Sequence, residues 1–100
     1  MDKNEVINIV TEYKKLLQNH IKFERIFLFG SYAKGTNQQD SDIDVAIIVN
    51  RIEEDYFSIN PLLWKLRRQI DDRIEPFLIE SEFDDADFLG EITKYGIEIS

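Results

Sequence analysis

Apolar positions fall into blocks along the chain whose spacing alternates between helical and extended. Val6, Ile7, Val10, Tyr13, Leu16 and Leu17 repeat at helical spacing behind Asp2 and Glu5, which have capping-box spacing, so residues 3–19 are predicted to form an amphipathic helix. Arg25-Ile26-Phe27-Leu28-Phe29 is a short β-rich run that stops at Gly30-Ser31, as a buried strand ending in a tight turn would. From Ser31 to Ser41 the residues are small and polar around Gly35, which predicts a short helix plus a loop. A second strand, Ile43 to Val49, is apolar enough for a central position.

Asn60-Pro61 reads as a cap followed by proline at the first helical position, and Leu62, Leu63, Leu66 and Ile70 continue one face of that helix. Ile74 to Ile79 is a third strand, in which Pro76 lacks a ladder donor and so points to an edge or a strand end. Phe88, Leu89, Ile92 and Tyr95 make a last helical face closed by Gly96, and Ile97-Glu98-Ile99 adds a short edge strand. The predicted order is α-β-α-β-α-β-α-β in one domain over residues 1–100, with no repeat and no linker.

Charge and composition narrow the function classes. Twenty acidic against 12 basic residues give a net charge of −8, which argues against stable nucleic-acid binding, because such affinity comes from Lys and Arg neutralising phosphates. Any phosphate handled here should be local and accompanied by a metal ion. The lack of cysteine removes disulfides, thiolate metal sites and a Cys nucleophile, and a reducing cytoplasm is the expected location. No apolar run approaches the roughly 18 residues that span a bilayer, so no membrane association is expected.

One constellation can carry chemistry: Gly30-Ser31, ten residues, then Asp42-Ile43-Asp44. Gly30 lets the chain turn sharply off its strand, and the following helix start directs backbone N–H groups at an approaching anion, with the Ser31 hydroxyl beside them. Asp42 and Asp44 are two apart at the start of a strand, so both side chains project from the same face. Two carboxylates about 5 Å apart repel by roughly 3 kcal/mol at an effective dielectric near 20, and oxygen-only ligands of this kind suit Mg²⁺ shared with substrate phosphates. Such a combination arises by chance in about one in a thousand chains of this length; the bland alternative is a turn with two solvated aspartates. Lys34, one helical turn past Ser31, is in reach of a β- or γ-phosphate, the alternative being an ordinary exposed lysine.

Other polar residues have plainer readings. Tyr32 is expected at the surface, and Ser41 in a local bond to the turn backbone. His20 has no second histidine to share a zinc ion and suits a helix end. Trp64 is expected to pack. Lys65, Arg67, Arg68 and Arg73 form the basic cluster, an interface in its sharper reading, and Glu80, Glu82, Asp84, Asp85 and Asp87 form a solvated acidic run.

The stretch Phe29-Gly30-Ser31-Tyr32-Ala33-Lys34-Gly35-Thr36, followed by Asp40-Ser41-Asp42-Ile43-Asp44-Val45, resembles the signature of the DNA polymerase beta-like nucleotidyltransferase superfamily, most closely its minimal single-domain members. The resemblance runs over nearly the whole chain to Tyr95-Gly96-Ile97. It implies an α/β (α+β) fold, a mixed sheet of three to four strands with helices packed on one face, and transfer of AMP from ATP to a hydroxyl. It also implies a third carboxylate on a later strand. Glu75 matches that position, with Asp71, Asp72 and Glu80 as competitors and Glu standing where the family more often has Asp. Asp42, Asp44 and Glu75 would then hold two Mg²⁺ ions, with Gly30, Ser31 and Lys34 on the triphosphate. At this length no second domain is expected to bind the acceptor, so a partner should bring it. Among minimal members the resemblance points to antitoxins that place AMP on a tyrosine of a small helical HEPN-type toxin. The alternatives are a small-molecule nucleotidyltransferase whose pocket is completed by a partner or a second copy, and an antitoxin that only binds.

Overall fold

A computed structural model describes residues 2–38, 41–51, 56–83 and 87–100, with the side chains of Tyr56, Phe57 and Phe83 excepted. Asp40 of the motif, the Glu53-Glu54-Asp55 stretch, and Asp84 and Asp85 of the acidic run lie outside them. Helix α1 (Lys3–Gln18) begins as predicted, with the Asp2 carboxylate accepting from the Glu5 N–H at 2.8 Å, and buries Val6, Val10, Tyr13 and Leu17. Strand β1 (Arg25–Phe29) ends at Gly30, and a single turn of helix, α2 (Ser31–Lys34), follows. Strand β2 (Ile43–Val49) leads through α3 (Tyr56–Arg67) to β3 (Ile74–Glu80), and after a 3₁₀ turn α4 (Phe88–Tyr95) and β4 (Ile97–Glu98) complete the order.

The four strands form a mixed sheet in the order β3-β2-β1-β4, antiparallel except for the parallel β2–β3 pair that α3 connects. Pro76 does lie in an edge strand, where its missing donor costs no ladder bond. Strand alternation divides the core in two. Ile26, Leu28, Ile43, Val45, Ile47 and Ile74 face the long helices α1 and α3. Phe27, Ala46 and Ile48 face the other way and pack with Ile92 of α4. One-sided packing therefore holds for the long helices and not for α4. The second sheet face is itself apolar along β1 and β2, and a helix must cover it.

Three local expectations are corrected. The third helix starts at Tyr56, and Pro61 lies inside it rather than at its first position; burial of Ile59 against the core holds a turn that the proline alone would not favour. Tyr32 is 1% exposed, because α2 turns it inward into the larger core. Tyr95, by contrast, is 52% exposed. Gly96 ends α4 in extended conformation, and glycine is needed there because a Cβ would lie 2.5 Å from the Ile92 carbonyl oxygen.

Candidate active site

The site is assembled at the end of the sheet where β1 leaves and β2 and β3 enter. Gly30 has φ +75°, which glycine adopts without steric cost, and a Cβ there would stand 2.1 Å from Asp44 Oδ2. The missing side chain thus lets the Asp44 carboxylate lie against the turn. Phe29 is the register partner of Asp44 on one side, and Glu75 is its partner on the other. Parallel pairing in register places the Asp44 and Glu75 side chains on the same face, next to one another.

Electrostatics mark the pair. Asp44 is pushed up to about 6, chiefly by burial, then by a hydrogen bond and charge repulsion from Glu75, with the Asp42 charge adding to it. Asp42 itself is exposed just ahead of β2. Among the described residues no three such side chains converge into a metal cage by themselves. Crowded carboxylates whose ligand set is left incomplete fit Mg²⁺, which keeps several positions for water and phosphate oxygens.

Of the other carboxylates considered, Glu80 pairs with Val49 at the far end of β3 and on the opposite face. Asp71 is held below the usual range by Arg73, whose guanidinium lies 2.7 Å away, and Asp72 is exposed. Ser31 opens α2, its carbonyl accepting from the Thr36 N–H at 2.9 Å. Lys34 is exposed, with its Nζ 5.9 Å from the centre of the Tyr95 ring. Tyr95 is a neighbour of the motif that the sequence assigned only to packing. Because Ile97 pairs with Leu28, the chain just before β4 is brought to the Gly30 end of β1.

The remaining polar residues are mostly committed elsewhere. Arg67 stacks on Trp64 at 4.6 Å and donates to the carbonyls of Asp72 and Ile74, and Arg73 is tied to Asp71, while Lys65 and Arg68 of the same basic cluster are exposed. Ser41 accepts locally from the Gln38 N–H at 2.7 Å. A cleft of about 650 Å³, lined by His20, Lys22, Phe23, Val49, Arg51 and Ile59 among others, opens at the other end of the sheet, away from the carboxylates. Among the described residues no helix is long and apolar enough to cross a membrane.

A glycine turn that opens a helix beside paired strand-end carboxylates, on a mixed sheet, is an arrangement suited to nucleotidyl transfer. Residues 11–100 match the family described as Polymerase beta, Nucleotidyltransferase, and the chain belongs to that family. A Methanocaldococcus jannaschii protein named "Putative protein adenylyltransferase MJ0141" is 30% identical over 99 residues, covering 95% of this chain and 99% of that one. A Shewanella oneidensis protein named "Protein adenylyltransferase MntA" is 51% identical over 35 residues, 34% of this chain and 25% of that protein. Among solved structures, one described as a toxin-antitoxin with AMP-PNP superposes with TM-score 0.66 at 26% identity, over 93% of this chain and 73% of that chain.

Proposed function

We propose that this chain transfers AMP from ATP to a tyrosine hydroxyl of a small helical HEPN-type toxin, and so acts as an antitoxin by protein adenylylation. The observation that carries the reading is the lateral pairing of Asp44 with Glu75 against the Gly30 turn. Support for a protein acceptor comes from the full-length likeness to MJ0141, and support for a toxin partner from the toxin-antitoxin neighbour.

In this reading Gly30 and Ser31 seat the triphosphate and Lys34 neutralises its outer phosphates. The acceptor oxygen bonds to the α-phosphorus as the bond to pyrophosphate breaks, and the hydroxyl proton leaves to water. Asp42, Asp44 and Glu75 would hold two Mg²⁺ ions together with phosphate oxygens. When bound, these supply a lowered acceptor pKa and charge neutralisation on the leaving group. Catalysis rests on positioning and charge, and no residue of the chain is required as a covalent nucleophile.

Incubation with α-labelled ATP, Mg²⁺ and a cognate HEPN-type protein should label a tyrosine of that protein and raise its mass by one or more AMP units. Efficient labelling of a small molecule or an RNA end, with the protein unmodified, would overturn the reading.

A further inference from the structure

Phe77 is 40% exposed, and it lies two residues beyond Glu75 on the same face of the edge strand β3. Every other residue of β3 is buried or partly buried, and a single exposed apolar side chain is ordinary by itself; what singles out Phe77 is its place beside the carboxylates. Its register partner is Ala46, fully buried and small, and the Phe77 ring meets edge-on, at 5.3 Å, that of Phe29, the β1 register partner of Asp44. Phe29 in turn meets Phe88 of α4 at 5.7 Å. The result is a row of three rings across the sheet just behind the carboxylates, capped by α4 at one end and open at Phe77.

The open end has a direction relative to the reaction. The Gly30-Ser31-Lys34 turn, which takes the leaving pyrophosphate in the reading above, lies on the β1 side of Asp44. Glu75 and Phe77 lie on the β3 side. In-line displacement requires the acceptor to approach from the side opposite the leaving group, and here that is the edge carrying Phe77. An acceptor oxygen at the carboxylates belongs to a group whose body extends over the next few ångströms of the sheet. Residues two apart on a strand are separated by roughly 7 Å, so the ring of an acceptor tyrosine comes within the roughly 4.5–7 Å at which aromatic pairs associate. A serine or threonine has no ring to place there.

We infer that Phe77, braced by Phe29, is the acceptor-side specificity residue, an aromatic shelf that receives the phenol ring of the protein acceptor. This rests on the adenylylation reading, and its test is separable from that reading. With the HEPN-type protein as acceptor, Phe77→Ala should raise KM for that protein about tenfold or more while leaving KM for ATP within about twofold. Phe77→Leu, which keeps apolar volume against Phe29, should show the same split, and Phe77→Tyr should restore wild-type KM. Thermal unfolding of each variant reports whether the fold is retained. If the wild-type chain labels no protein, the adenylylation reading itself falls. If it does label the protein but KM for the acceptor is indifferent to Phe77→Ala and Phe77→Leu, the shelf is refuted. A rise in KM for ATP would refute it too, placing the nucleobase on the ring instead.

Discussion

Asp44 and Glu75 are register partners across the parallel β2–β3 pair, and the proton of Asp44 is held up to about 6 by burial and by that neighbour. The folded chain therefore binds this proton more tightly than the unfolded chain, whose value is near 3.8. Stability from this group is present below about pH 4 and is lost as pH rises to about 6. Asp44→Asn removes the penalty. After allowance for solvent screening of a half-exposed group, it should stabilise the fold by about 1 kcal/mol at pH 7 and by little at pH 3.5. Melting curves at the two pH values check this, and the same variant should lose AMP transfer. Unfolding caused by the change would mean that the carboxylate is structural.

Gly30→Ala should damage the site without touching a carboxylate directly. The added Cβ meets Asp44 Oδ2 and the positive φ is strained for any side chain. A loss of about 1–2 kcal/mol in stability is expected, with a fall of about 100-fold in transfer as Asp44 is displaced. Chemical denaturation and steady-state rates measure the two effects. Wild-type activity in this variant would show that the close approach is unimportant.

Substitution along β3 distinguishes the third carboxylate. Glu75→Gln should abolish transfer, and Glu80→Gln, at the far end and on the opposite face, should leave it near wild type. The opposite outcome in transfer assays would move the third ligand.

Two buried tyrosines should respond in opposite senses. The Tyr13 hydroxyl donates to the Leu63 carbonyl at 2.8 Å, so Tyr13→Phe should cost about 1 kcal/mol. Tyr32 has a buried hydroxyl with no hydrogen-bond partner among the described residues, so Tyr32→Phe should be neutral or stabilising by up to about 1 kcal/mol. Equal losses in urea titrations would contradict this account of the α2 packing.

Much of this was legible because it is local. The boundaries of β1 and β2 follow from apolar runs ended by turn residues, and the Gly30-Ser31 turn with Asp42 and Asp44 follows from spacing. What sequence did not reveal depends on tertiary placement. Glu75 is singled out in the sequence only through the family resemblance, because the register that puts it beside Asp44, rather than Glu80 or Asp72, is set by how β3 docks. The inward turn of Tyr32 is set by α2, and the early start of α3 by burial of Ile59 overriding Pro61. Phe77 and Tyr95 look like ordinary core aromatics in the sequence. Only the pairing of β3 at one edge and β4 at the other brings them to the two sides of the carboxylates.

The central claim is that Asp42 and Asp44 serve the transfer of AMP to a protein. It is tested most directly by the intact mass of the proposed HEPN-type partner after incubation with ATP and Mg²⁺, comparing the wild-type chain with the Asp42→Asn, Asp44→Asn double variant. The account predicts a gain of one or more AMP units on a partner tyrosine with the wild-type chain and none with the double variant, although that variant stays folded. A partner neutralised equally by both chains with its mass unchanged would contradict it and leave neutralisation to binding alone.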